Sequence, residues 1–370
     1  MIVDPANPVA WYSSLRTEHP VLYNEELHAW QVFKYDDVKR ILDDPATFSS
    51  AVPIGDTTFP PPLILRDGTD HEFYRTLVVE AFNPMLKGIA PRIQHLVDEH
   101  LARVIPQGQM DIVADLAVPL PASVIADILG VPQEDQERFM VWSNMVSASD
   151  TAYTVTTSKE VPDYFHSLFE TKRKTPQQDM ISAMLKVADA HKVSEWDMIG
   201  ICFNLLNAGA ETTRHLMSWA LYLFDESDME ALRRKSSLFP GAIEEVVRCR
   251  PPFPTAFRLT TRKVTVRNVT IPAGQLVLAS IISANHDELH FTHPEQFDIQ
   301  RSPNDHLSFG FGIHACFGAP LGRMEARIAL QTLLKRAHAL RRVDTPVEIM
   351  QGLNYGPTSL PITFIPSQLL

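Results

Sequence analysis

Apolar positions along this chain recur mostly at helical spacing. Val38, Ile41 and Leu42 give Tyr35–Leu42 one apolar face, and the same period predicts helices over His71–Phe82, Ile93–Val104, Ala122–Leu129 and Glu134–Val146. Pro84, Pro106 and Pro132 fall in the connections, where a fixed φ and a missing N–H end helices. The longest periodic stretch is Trp196–Phe224, with Ser194 as N-cap and Asp197 three residues on. At about 1.5 Å per residue such a helix could cross a whole domain. Pro240–Arg250 reads as a short helix and Leu321–Leu340 as a last long one. Pro20–Tyr23 and Trp30–Phe33 are β-like, as is Val264–Ile282 around a turn at Pro272-Ala273-Gly274. A proline-rich loop (Pro53, Pro60, Pro61, Pro62) separates the early β-like runs from the helical remainder. Without a repeat, a Gly/Ser linker or an abrupt shift of composition, the expectation is a single domain over residues 1–370, mainly α with a minor β part.

Composition narrows the class. Of 370 residues 45% are hydrophobic and 21% charged, enough apolar surface to offset the entropy of ordering, and 28 prolines against 15 glycines exclude collagen and flexible low-complexity sequence. The balance of 33 Lys and Arg against 44 Asp and Glu gives −11 with no dense basic run, which argues against a nucleic-acid partner. The most apolar run, Met198–Ala210, is shorter than the roughly 20 residues of a membrane span and contains Asn204 and Asn207. Residues Met1–Leu15 carry Asp4, Pro5 and Pro8 and no apolar segment of signal-peptide length. Cys202, Cys249 and Cys316 are too few and too scattered for a disulfide framework, so a reducing cytoplasm is expected.

The candidate chemistry lies in Phe309-Gly310-Phe311-Gly312-Ile313-His314-Ala315-Cys316-Phe317-Gly318. Its glycines let backbone approach a flat object closely, and Cys316 precedes a helix N-terminus, where amide N–H groups and the dipole favour a thiolate. The residues alone leave Cys316 as nucleophile, metal ligand or small buried hydrophobe. In the long helix, Ala208-Gly209-Ala210-Glu211-Thr212 sets a glycine mid-helix, at a cost near 1 kcal/mol against alanine, beside an acid and an alcohol. Glu245-Val246-Val247-Arg248 places opposite charges at i,i+3.

Together these segments resemble the cytochrome P450 family, whose haem loop reads Phe-Gly-x-Gly-x-His-x-Cys-x-Gly. The resemblance implies the P450 fold, with a long central helix over a haem b. Cys316 would be the axial ligand of the haem iron, and Phe309, Gly310, Gly318, Ala208 and Gly209 would border the haem, Gly209 by letting the helix open locally. His314, Arg258, His71 and Arg75 would supply charge-assisted donors to the two propionates. The last two sit in an Asp-x-x-x-His-x-x-x-Arg segment, Asp67–Arg75, where Gly68-Thr69 replace the family's two prolines. Glu211 and Thr212 would be catalytic, relaying protons to dioxygen. Glu245 and Arg248 would be structural.

The implied activity is hydroxylation of a medium-sized, largely apolar organic substrate by O2. Asn204, Ala208, Thr255, Ala256 and Thr358 would face the pocket, with the loop Ala51–Leu65 and the segment near Asp150–Tyr164. Asn207 is better explained by an inter-helix hydrogen bond. No sequence remains for a reductase, so a separate ferredoxin or flavodoxin would donate electrons to a monomer. Six cations from Ser302 to Arg342 (Arg323, Arg327, Lys335, Arg336, Arg341, Arg342) against Asp305 and Glu325 suggest a basic docking face. The rivals are a peroxide-driven enzyme and a non-catalytic haem protein for gas binding, against which the acid–alcohol pair argues. A remoter one is a zinc hydrolase using His286 and His290, spaced like a zincin pair but with the glutamate misplaced.

Overall fold

Residues 9–53, 60–147 and 159–367 are described by the computed structural model, and its helices follow the apolar periodicity closely. Tyr35–Asp43 buries Tyr35, Val38, Ile41 and Leu42 on one side. Further helices span Gly68–Met85, Ala90–Val104, Pro119–Leu129 and Gln136–Ser147. Glu195–Leu223 is one unbroken helix of 29 residues. Ser194 starts it by accepting the Asp197 N–H at 3.0 Å, satisfying a donor that has no partner inside the helix. The sequence periodicity does not delimit several further helices, among them Val9–Glu18, Glu160–Lys174, Met180–His191 and Glu226–Arg234. The last two begin at Asp179 and Asp225, whose side chains accept from the third residue on.

The chain divides into two compact units. One comprises Met1–Val52, Ile105–Val113 and His215–Leu370 and holds every described strand. Its five-stranded sheet runs Val21–Asn24, Ala29–Val32, Leu276–Ser280, Thr255–Thr260, Phe48–Ser49, with only the second and third strands parallel. Gln109–Asp111, Pro361–Pro366 and Ala337–Arg342 form an antiparallel three-stranded sheet. The first sheet closes over a core that includes Val32, Val38, Ile41, Phe48, Ile271 and Val277; each such side chain stabilises by about 1.5–3 kcal/mol when fully buried.

The other unit, Pro53–Val104 and Ala114–Arg214, is helical throughout its described residues. Arg66 fastens it, bonding Asp70 at 2.9 Å and Asp197 at 2.7 Å while its guanidinium lies 4.0 Å from the Tyr74 ring centre.

The last long helix is Ala319–Arg336, not Leu321–Leu340, because residues 337–342 are strand. Ala339 takes a left-handed φ of 48°, and Ala337 and Leu340 are both buried. A distorted strand thus mimics helical spacing.

Candidate functional site

The glycine-rich loop belongs wholly to the strand-bearing unit. Gly310 and Gly312 have φ of +72° and +67°, conformations that L side chains rarely adopt. A Cβ on Gly312 would lie 3.0 Å from Asp43 Oδ1 and 3.1 Å from the Leu42 carbonyl. The loop therefore rests on the end of the helix Tyr35–Asp43. Phe311 packs on the apolar core, with the Lys39 ammonium 4.7 Å from its ring centre. The Cys316 N–H donates to the Phe309 carbonyl at 2.7 Å, and Gly318 begins the helix Ala319–Arg336. Alone of the three cysteines, Cys316 is exposed. Burial pushes the Cys249 thiol up to about 12 and the Cys202 thiol higher still, which keeps both protonated and unreactive.

Behind the loop, Arg248 donates two bonds of 2.8 Å to Glu245, both side chains having no exposed surface. Arg301 adds a second ion pair to Glu245 at 3.0 Å. Arg248 also donates to the Asn285 carbonyl. Asn285 in turn accepts the Leu307 N–H and donates to Ser308 Oγ, both at 2.8 Å. A buried ion pair thus fixes the backbone that leads into the loop, and removing one partner of such a pair costs about 3–5 kcal/mol.

Arg258 is buried on the strand Thr255–Thr260. On the same strand Ala256 is buried in the apolar core, and the alternation leaves Thr255 half-buried on the opposite side. Thr358 is held to Glu348, its N–H 3.0 Å from that residue's carbonyl.

The helical unit holds the second group of residues. Thr212 Oγ donates to the Ala208 carbonyl at 2.8 Å, and Asn204 Nδ2 to the Gly200 carbonyl at 2.7 Å. Ala208 is exposed, Glu211 buried and Thr212 half-buried. Gly209 serves packing: a Cβ there would lie 2.5 Å from Ile125 Cδ1, and the helix runs through it without opening. This corrects the expected local opening. For Asn207 no inter-helix bond forms among the described residues, and its buried Oδ1 meets no donor.

His71 and Arg75 lie one turn apart on Gly68–Met85. Burial first, then the Arg75 charge, lowers the basicity of His71. Gly68 takes a φ of +58°, closed to proline, so this segment starts its helix by a different backbone from the family's proline pair. Of the expected pocket segments, residues 54–59 and 148–158 lie outside the described residues.

The zinc reading fails on geometry. His286 is buried with Nδ1 2.8 Å from the Ile282 carbonyl, and His290 stacks on Tyr35 with ring centres 3.4 Å apart. No cluster of three or more His, Cys, Asp or Glu could hold a metal ion among the described residues. Neither is any described helix long and apolar enough to cross a membrane.

Arg323 spends its charge on Glu244, in a fork of two 2.7 Å bonds. Lys335 and Arg336 sit in the last turn of Ala319–Arg336, about 18 Å beyond Arg323 at 1.5 Å per residue. Sequence reading missed Glu244, His306, Asn285 and Arg301 because their partners lie tens of residues away, beyond any local spacing signal.

Fold and site together define a haem-thiolate protein, and the comparisons agree. The Cytochrome P450 family model matches residues 224–353. The chain is 38% identical over 368 residues to cytochrome P450 YjiB of Bacillus subtilis, covering 95% of this chain and 93% of that one. To the cyclomarin C epoxidase CymV of Salinispora arenicola it is 35% identical over 375 residues, covering 96% and 95%. The crystal structure of substrate-free CYP109E1 from Bacillus megaterium superposes with a TM-score of 0.91 at 36% identity, covering 97% and 99%. The chain belongs to the cytochrome P450 family and is a monooxygenase of that class.

The loop suits the family's haem. Cys316 is exposed, and Gly318, whose added Cβ would stand 3.8 Å from its Sγ, sets no side chain beside it.

Proposed function

We propose that this enzyme hydroxylates a medium-sized, largely apolar organic molecule, using O2 and electrons from a separate ferredoxin or flavodoxin. The observation that carries the reading is exposed Cys316, tied through its N–H to the Phe309 carbonyl in the glycine-framed loop. Cys316 would ligate a haem b, with His314 and Arg258 of the same unit donating to its propionates. Thiolate-ligated haem supplies the chemistry that cleaves the O–O bond. The protein's own part is to deliver protons and exclude water. Glu211 is buried on the long helix, one residue from the half-buried hydroxyl of Thr212. That hydroxyl donates to the Ala208 carbonyl, which leaves its lone pairs able to accept a hydrogen bond from a water on a proton route.

Within the helical unit, exposed Ala208 and half-buried Asn204 would face the substrate. The similar structures of CYP109E1 hold corticosterone and testosterone, and another similar protein is named mycinamicin IV hydroxylase/epoxidase. These compounds support a bulky apolar substrate class for this chain.

Thr212→Ala tests the proton route. Haem content and ligand-induced spectra should stay near those of the parent, while a larger share of the electrons consumed emerges as hydrogen peroxide, by about tenfold or more for a lost proton-transfer group. Unchanged coupling between electrons and product would refute the role of Thr212.

A further inference from the structure

Arg323 does more than neutralise Glu244. Its guanidinium lies 4.1 Å from the ring centre of Phe309, a distance at which a cation is drawn to the ring face. His306 closes the cluster: its Nε2 is 3.1 Å from Glu244 Oε2, and its ring centre lies 5.8 Å from that of Phe309. The Ser308 N–H points at His306 Nδ1 at 3.3 Å. Nδ1 therefore accepts, and Nε2 carries the proton donated to Glu244. Phe309 is gripped at both ends, because its carbonyl takes the Cys316 N–H at 2.7 Å. All four side chains and Cys316 belong to the same unit.

A half-buried ion pair adds little to stability by itself. That small contribution does not explain a bidentate fork, a stacked guanidinium and a tautomer-fixed histidine converging on one aromatic ring. Burial would raise the Glu244 carboxyl, but hydrogen bonds from Arg323 and His306 outweigh it and hold the group at about 2, so it is charged throughout the working range.

We propose that Glu244, Arg323 and His306 are positioning residues that hold Phe309 against the Cys316 backbone and balance the charge beside the thiolate, thereby setting how readily the haem accepts an electron. The inference rests on the reading of Cys316 as haem ligand. Two opposite charges held together beside Phe309 carry no net charge and largely cancel at a distance. Removing either one exposes the other, with effects of opposite sign on an incoming electron.

The test is a redox titration of the haem-loaded full chain without oxygen, alongside the spectrum of its reduced, CO-bound form. Arg323→Gln leaves the Glu244 anion uncompensated and should lower the midpoint potential. Glu244→Gln leaves the Arg323 cation and should raise it. Each should change the ratio of reduced to oxidised protein at a fixed poise several-fold. The double variant should return towards the parent value, and Arg323→Lys, which keeps the charge, should stay close to it. Shifts of both single variants in the same direction, or none in either, would overturn the proposal, because simple loosening of the loop has one sign. A parent protein lacking the red-shifted CO band of thiolate ligation would overturn the reading of Cys316 and this inference with it. A parent that shows the band beside variants that do not diverge in sign defeats the inference alone.

Discussion

His286 shows how a single buried side chain separates two chemical readings. Its Nδ1–H donates to the Ile282 carbonyl, and burial first, then the Arg248 charge, pushes its pKa down to about 3. In the unfolded chain it binds a proton near the usual value of about 6.5. The folded state refuses that proton, so the stability associated with neutral His286 is complete above the unfolded value and is lost as pH falls from there towards 3. The loss reaches at most about 1.4 kcal/mol per pH unit. Denaturant midpoints measured between pH 7 and pH 4 should fall less steeply in His286→Gln than in the parent. Equal slopes would contradict the assignment. A histidine held neutral and bonded in this way has its place in the packing, and a sequence spacing of four residues to His290 could not show that.

Among the elements, the long helix carries the most information. Its span was readable from apolar period and from Ser194 and Asp197, since caps and periodicity are local properties. The purpose of Gly209 was not, because Ile125 lies more than eighty residues away in the chain and reaches it only by tertiary packing. Gly209→Ala should destabilise by about 1–3 kcal/mol through overpacking, even though alanine is the better helix former by about 1 kcal/mol. Adding Ile125→Val or Ile125→Ala should recover much of the loss, as measured by urea unfolding. If Gly209→Ala alone is as stable as the parent or more so, the close contact does not constrain the helix. The end of the helix Ala319–Arg336 was misread for a related reason. Ala339, with its left-handed φ, breaks the two-residue alternation of a strand, and the buried pair Ala337 and Leu340 then sits three apart, as a helix would place it.

For the molecule as a whole, fold class and the haem loop were legible because their signals are contiguous: periodic apolar residues in one case, ten consecutive residues in the other. The support around the loop was not. Glu244 stands beside Glu245 in the same short helix, yet Glu245 turns to the buried Arg248 and Arg301 while Glu244 turns to Arg323 and His306. Only the folded chain separates the two acids into a structural anchor and a partner of the cysteine loop. The account stands or falls on Cys316 as the ligand of the haem iron, and the most direct measurement is the absorption spectrum of the reduced, CO-bound protein. The parent should show the red-shifted Soret band of thiolate ligation, and Cys316→Ala should lose it while Cys202→Ala and Cys249→Ala retain it. A parent without that band, or a Cys316→Ala variant that keeps it, would contradict the account.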